Sequence, residues 1–154
     1  MARAAIGIGS NAGDPVATVR RAFERLGELG ALVGRSALYR TSPWGVMDQA
    51  PFVNAAALVE TELEPPALLA ALKRIEQDEG RLTTFRWGPR VLDLDILAYD
   101  DVQLDNPELT VPHPRLHERA FALVPLAEID PRYAALRDAL PPGERAGVVE
   151  LQLQ

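Results

Sequence analysis

Apolar residues recur along the chain at two different spacings, and these spacings predict strands alternating with two helices. Between Asp14 and Gly27 the spacing is helical, and Asp14 followed by proline is a typical way for a helix to begin. Short apolar runs bounded by glycine, proline and polar residues predict strands. The predicted elements are a strand over 3–11, a helix over 15–27, strands over 31–39 and 52–60, a helix over 65–80 and a strand over 91–99.

This βαββαβ order predicts an α+β fold of the ferredoxin-like type, in which helices pack on one face of an antiparallel sheet. A further apolar segment, 118–129, predicts a helix, so we expect a C-terminal helical extension. The chain after Pro131 favours neither helix nor strand. We expect residues 1–154 to form a single domain.

Composition narrows the classes of function. The 154 residues carry a formal net charge of −6, whereas a protein that holds nucleic acid is usually basic, so we expect no nucleic-acid partner. There is no cysteine, which excludes disulfides and thiolate metal sites. No apolar run approaches the ~18 residues that a membrane-spanning helix needs. We therefore expect a cytoplasmic protein, monomeric and without a membrane partner.

The segment from Arg81 to Arg90 is locally cationic. It contains three arginines and no acidic residue. A cationic loop in an acidic protein favours an anion site, although a solvated loop is an equal alternative. Lys73, the only lysine, does not follow a glycine-rich loop. The chain therefore has no Walker A motif, and phosphate binding would rely on arginine, backbone and metal.

Two aspartates interrupt the most apolar strand. Asp93 and Asp95 are two residues apart, so their side chains project from one face of the predicted strand. Carboxylates that close repel each other, and a divalent cation removes the repulsion. Mg²⁺ is commonly held by one or two carboxylates together with phosphate oxygens and waters. The alternative is a strand-end pair that Arg86 and Arg90 neutralise.

Phe52 and Asn54 repeat this spacing on the third strand. An aromatic ring beside an amide suits a flat heterocycle that forms hydrogen bonds. On these two residues alone, a core phenylalanine and a strand-end asparagine are the favoured alternative. His113 and Arg119 suit a phosphate-binding role, with a surface histidine as the alternative.

Five segments together resemble the 6-hydroxymethyl-7,8-dihydropterin pyrophosphokinase family. In chain order they are "IGSN", "YRTSPWG", "FVNAA", "RWGPRVLDLDIL" and "LTVPHPRLHERAF". The fourth is long and specific, and the resemblance covers roughly residues 4–131. It implies a ferredoxin-like fold. It also implies that the β,γ-pyrophosphoryl group of ATP moves to the hydroxymethyl oxygen of the pterin, with release of AMP.

The resemblance implies roles for individual residues. Asp93 and Asp95 would hold two Mg²⁺ ions and would form the catalytic set with Arg81 and Arg90. The implied pterin-binding residues are Thr41, Ser42, Trp44, Phe52, Asn54 and Phe121. The two phenylalanine rings would lie on either side of the pterin. The implied ATP-binding residues are Lys73, Glu76, Arg81, Trp87, Arg90, Ile96, Thr110, His113 and Arg119.

The chain departs from the family pattern at three positions. Some members carry arginine where Thr83 and Glu108 stand, and tyrosine where Phe52 stands. Phenylalanine keeps the stacking face, whereas the missing arginines weaken the expected clamp on the phosphates.

Two other interpretations stay open at this point. One is a non-catalytic ferredoxin-like module that binds a nucleotide or small ligand, which would not need both aspartates and the arginine loop. The other is a fragment of a bifunctional folate enzyme. A chain that starts at Met1 and contains a whole βαββαβ unit favours a free-standing enzyme.

Overall fold

A computed structural model describes residues 1–41, 51–80 and 91–152. The predicted site residues Ser42, Trp44, Arg81, Trp87 and Arg90 lie outside these ranges. The elements are β1 (Ala2–Ser10), α1 (Pro15–Leu26), β2 (Ala31–Arg35), β3 (Tyr39–Thr41), β4 (Phe52–Thr61), α2 (Pro65–Asp78), β5 (Asp93–Tyr99), β6 (Leu104–Asp105), β7 (Thr110–Val111), α3 (Ala120–Ile129), α4 (Ala134–Asp138), α5 (Pro142–Ala146) and β8 (Val148–Glu150).

The main sheet is antiparallel and has β1 near its centre. Its order is β5-β1-β4-β3-β8, and β2 also pairs with β4. β6 and β7 form a separate two-stranded sheet. The predicted α+β class with an antiparallel sheet and packed helices is confirmed.

Each face of the sheet has its own apolar core. Ile6, Ile8 and Leu94 project toward α1 and α2, while Leu58 and Leu97 join a second core with α3. The prediction that helices pack on one face therefore holds for α1 and α2 only, because α3 covers part of the opposite face. We call the α1 and α2 side the lower face and the α3 side the upper face.

The start of α1 and the end of α2 follow the predicted local signals. The Asp14 side chain accepts a hydrogen bond from the Ala17 N–H at 3.2 Å, and Pro15 takes the first helical position of α1. α2 ends before Gly80, whose φ of +95° favours glycine.

The strand predicted over 31–39 is present over 31–35 and at Tyr39 but is not continuous, because the chain forms two short strands there. Arg35 pairs with Ala57, but Tyr39 pairs with Asn54, so β4 advances three residues while its partner advances four. Ser36 lies at the break. Its N–H donates to the Ala56 carbonyl, and its hydroxyl accepts from the Ala56 N–H, both at 2.9 Å.

This extra residue decides which face the next strand presents. Arg35 packs on the lower face, where its guanidinium lies 4.3 Å from the centre of the Phe23 ring. Without the slip, strict alternation would turn Tyr39 to the same face. Instead Tyr39 joins the upper core with α3, so the irregularity brings Tyr39 and Thr41 to the upper face.

The C-terminal segment adds both helices and a strand. α3 begins at Ala120, two residues later than predicted, because Leu116–Glu118 form a short 3₁₀ turn. After α4 and α5, β8 pairs with β3 along its outer edge. The prediction of a helical extension therefore omitted this strand. None of the helices within the described ranges is long and apolar enough to cross a membrane.

We expect Ser36→Ala to destabilise the protein by about 1 to 3 kcal/mol, because the buried Ala56 N–H loses its acceptor. Ser10→Ala is the matched control: Ser10 is also buried, but its hydroxyl has no hydrogen-bond partner in the described structure. Removing that hydroxyl should leave stability unchanged or raise it. Urea unfolding of both variants checks the contrast, and equal losses of stability would contradict the assigned role of Ser36.

Candidate active site

One end of the upper face brings several predicted site residues together. Asn54 pairs with Tyr39 on one side and with Gly9 on the other, and Gly9 pairs in turn with Asp93. Residues paired across antiparallel strands point to the same face. The aspartate strand and the Asn54 strand are therefore joined by a row that runs through a single glycine.

The neighbouring rows add the remaining groups. Thr41 pairs with Phe52, while Gly7 pairs with Asp95. The faces predicted for Phe52 with Asn54, and for Asp93 with Asp95, are confirmed as geometry. Leu94 lies in the core of the lower face, as the alternation requires.

Glycines form the floor between these groups. A Cβ atom added at Gly9 would lie 3.0 Å from Asn54 Nδ2 and 3.8 Å from Phe52 Cδ1. Only a residue without a side chain leaves Asn54 in its present position. Gly7 and Gly9 were not among the predicted site residues. Their spacing of two in a strand was the available signal, because it places both on one face.

Two polar atoms at this end have no hydrogen-bond partner within the described structure. They are Asn54 Oδ1, on a residue only 6% exposed, and Thr41 Oγ1. Buried polar atoms are almost always paired in native proteins. Their presence beside the half-buried ring of Phe52 indicates a place for a flat ligand that can form hydrogen bonds.

The two aspartates differ in exposure. Asp93 is half-buried, whereas Asp95 is exposed and forms no salt bridge with a described residue. Two carboxylates on one strand face are a donor set that suits Mg²⁺, because this ion keeps several waters and takes phosphate oxygens as further ligands. The residues present therefore fit such an ion.

A third carboxylate reaches β5 from below. Glu76 on α2 is 1% exposed, and its Oε2 accepts a hydrogen bond of 2.8 Å from the Leu94 N–H, between the two aspartates. Its Oε1 lies 3.6 Å from the ammonium group of exposed Lys73. The contact between Glu76 and Leu94 was not predicted, since nothing in the local sequence of α2 indicates it.

His113 lies beside the outer edge of β5. Its backbone N–H donates to the Leu97 carbonyl at 2.9 Å, and its ring Nδ1 accepts from the Arg115 backbone N–H at 3.2 Å. Burial lowers the pKa of His113, an effect that nearby Asp95 opposes and Arg119 reinforces. The ring is therefore neutral near pH 7 with its proton on Nε2, which leaves an N–H donor in the neighbourhood of Asp95.

The other predicted residues occupy three different surroundings. Arg119 precedes α3, and its guanidinium lies 5.6 Å from the centre of the half-buried Phe121 ring. The Thr110 hydroxyl donates to Asp105 at 3.3 Å. The Ile96 side chain is buried in the core of the lower face, so only its backbone can face a ligand at the edge of β5.

Comparisons with known proteins agree on one family. The family model described as 7,8-dihydro-6-hydroxymethylpterin-pyrophosphokinase (HPPK) matches residues 5–131. A curated protein of Methylorubrum extorquens, named 2-amino-4-hydroxy-6-hydroxymethyldihydropteridine pyrophosphokinase, is 44% identical over 99% of this chain and 100% of its own length. A Pseudomonas aeruginosa protein of the same name is 46% identical over 84% of this chain and 81% of its own.

Solved structures support the fold. An HPPK-DHPS crystal structure in complex with substrates has a TM-score of 0.72 at 13% identity, covering 90% of this chain and 43% of that one. The Plasmodium falciparum HPPK-DHPS structure with SDX-DHP has a TM-score of 0.68 at 16% identity, covering 90% and 43%. On the family model and the close relatives together, this chain belongs to the 7,8-dihydro-6-hydroxymethylpterin-pyrophosphokinase family.

Proposed function

We propose that this chain transfers the pyrophosphoryl group of ATP to the hydroxymethyl oxygen of 6-hydroxymethyl-7,8-dihydropterin and releases AMP, as a step of folate synthesis. Membership of the family supports the reaction. The observation that carries the proposal is the shared upper face, where a carboxylate pair and an unsatisfied amide meet across Gly9.

Asp93 and Asp95 would hold Mg²⁺, and two ions are proposed. When bound, the metal would neutralise charge on the phosphates and lower the pKa of a coordinated hydroxyl. The two carboxylates would hold negative charge at the end of β5. Because Asp95 is exposed, its carboxylate can bind a cation in place of water without breaking a salt bridge to a described residue.

Phe52, Asn54, Thr41 and Phe121 would hold the pterin, together with Ser42 and Trp44. The rings of Phe52 and Phe121 belong to the sheet and to α3, and α3 packs on the same face as Phe52. Stacking between two rings fixes the plane of a flat heterocycle, while the unpaired oxygens of Asn54 and Thr41 read its edge. Binding would thus restrict the reacting hydroxyl to one position.

ATP would lie along the outer edge of β5. Within the described ranges, β5 pairs only with β1 in the sheet. His113 and Arg119 would contact phosphates from above this edge, while Lys73 and Glu76 flank it from α2. The remaining ATP contacts proposed are Thr110, Arg81, Trp87, Arg90 and the backbone of Ile96. Neutral His113 would donate a hydrogen bond from Nε2.

The proposal also covers the fold type, the domain organisation, the oligomeric state and the location of the protein. The strand order, with β1 between β4 and β5, supports a ferredoxin-like arrangement. We also propose a single domain over residues 1–154, a monomer and a cytoplasmic location, in keeping with ATP as co-substrate.

We expect Asp95→Asn to lower turnover by about a thousandfold, because loss of one metal ligand removes about 4 kcal/mol of transition-state stabilisation. Folding should be intact, since neutralising one member of a repelling pair does not harm the apo protein. Calorimetric titration with Mg²⁺ and an ATP analogue and circular dichroism accompany the assay. Asp101→Asn, at an exposed aspartate, is the control, and near-normal turnover of Asp95→Asn would refute the metal assignment.

We expect Gly9→Ala to weaken pterin binding by about tenfold, or about 1.4 kcal/mol. The added methyl group would lie 3.0 Å from Asn54 Nδ2 and would displace the amide. Gly143→Ala, where no atom lies within 4 Å of the new Cβ, is the matched control. Titration with the pterin alone measures the effect. An unchanged affinity would show that Asn54 does not take part in pterin recognition.

The nucleotide product tests the reaction itself. The purified protein with Mg²⁺, ATP and hydroxymethyl-dihydropterin should yield AMP and a pterin diphosphate in equal amounts by chromatography. An ordinary kinase would release ADP, and a binding module would consume no ATP. ADP as the stoichiometric product would overturn the proposed transfer even if ATP consumption depended on the pterin.

A further inference from the structure

We propose that Tyr39 and Glu128 are positioning residues that hold Asn54 in place for pterin recognition. This inference rests on the proposed pterin site. It assigns a task to two residues that touch neither substrate nor metal in that proposal. A series of contacts runs from α3 through β3 to Asn54.

The carboxylate of Glu128 attaches α3 to the start of β3. It accepts a hydrogen bond from the Tyr39 hydroxyl. It also accepts from the Ala37 N–H, at 3.1 Å to Oε2 and 3.2 Å to Oε1. One side chain on the helix therefore binds a backbone group and a side chain that lie two residues apart on the strand side.

β3 needs such an attachment because its own pairing is short. The strand has three residues and follows directly on the register slip at Ser36. β8 pairs with its outer edge, but β8 also has only three residues. In-plane pairing over only three residues on each side leaves the tilt of β3 against α3 to be set by contacts on the upper face. Glu128 supplies a contact of that kind.

Tyr39 connects β3 to Asn54. The two residues are paired across β3 and β4, so their side chains are neighbours on the upper face. Gly9 pairs with Asn54 on its other side, and because Gly9 has no side chain, the Asn54 amide can lie directly against its backbone. Asn54 is thus bounded by the Tyr39 side chain on one side and by the glycine floor on the other. Asn54 Oδ1 has no hydrogen-bond partner within the described structure, so packing against neighbouring residues contributes to the orientation of the amide.

The phenol keeps its proton under ordinary conditions. Burial raises the pKa of Tyr39, and the hydrogen bond to Glu128 raises it further. Glu150 acts in the same direction and Arg137 opposes it. Tyr39 therefore stays protonated at neutral pH and donates to Glu128.

Tyr39→Phe and Glu128→Gln test the proposal in the full chain. Tyr39→Phe removes the hydroxyl and keeps the ring, while Glu128→Gln removes the charge and keeps the size. Each should weaken pterin binding about three- to tenfold, the effect of one hydrogen bond, and leave affinity for a Mg²⁺-bound ATP analogue within twofold. In turnover assays KM for the pterin should rise while kcat changes less. The double variant should be little worse than Tyr39→Phe alone, because both substitutions act on the same contact: Glu128→Gln weakens the acceptor, while Tyr39→Phe removes the donor.

Tyr99→Phe is the matched control. The Tyr99 hydroxyl also donates a partly buried hydrogen bond, 2.6 Å to the Leu63 carbonyl, but Tyr99 lies at the opposite end of β5 and belongs to the core of the lower face. The Tyr99→Phe variant should be less stable than the original protein but should bind the pterin with the same affinity. If Tyr99→Phe weakens pterin binding as much as Tyr39→Phe does, the effect is global and the positioning role is wrong.

Asn54→Ala distinguishes failure of the inference from failure of the pterin site. If Asn54→Ala weakens pterin binding while Tyr39→Phe and Glu128→Gln leave it within twofold of the original, the positioning role is overturned and the site stands. If Asn54→Ala has no effect on pterin binding, the proposed pterin site is wrong, and the role of Tyr39 and Glu128 is overturned with it. Should Glu128→Gln fail to fold, Tyr39→Phe alone still decides, because its packing is preserved.

Discussion

The functional face depends on the register of β1, the strand that pairs with both β4 and β5. Gly9 lies between Asn54 and Asp93 in that register, and Gly7 lies opposite Asp95. Because paired residues share a face, the register alone brings an amide and two carboxylates to one end of the sheet. The glycines then keep the space between them free of side chains. A shift of β1 by one residue would turn the glycines to the other face and place isoleucine between the polar groups.

Two irregularities in the sheet divide the upper face into an apolar half and a polar half. In β5 the register slips next to Leu97, so that Leu97 and Ala98 both join the core under α3. At Ser36 the slip turns Tyr39 upward, and its ring completes that core. α3 covers the half where the apolar side chains gather. No described helix packs on the other half, which carries the polar groups that would be costly to bury without partners.

The sequence predicted what is local and missed what depends on distant partners. Spacing of two placed Asp93 with Asp95 and Phe52 with Asn54, because side-chain alternation is a property of any single strand. The division of the strand over 31–39 could not be predicted in this way, because the break at Ser36 involves the backbone of Ala56, twenty residues away. β8 could not be predicted either, because three residues are too few to show an alternation of apolar and polar positions. They form a strand only because the outer edge of β3 is available for pairing.

The apparent cost of two aspartates in an apolar strand is met by their placement. A carboxylate is expensive to bury only where water is removed and nothing replaces it. Asp95 is exposed and Asp93 half-buried, because α3 leaves this end of the face uncovered, so both keep access to water and to a cation. The carboxylate that is buried at β5 is Glu76, and it is compensated by the Leu94 N–H and by nearby Lys73. That hydrogen bond fixes the backbone between the two aspartates from below. The strand thus carries accessible carboxylates on one face and is held by an inaccessible one on the other, and exposure separates the two tasks.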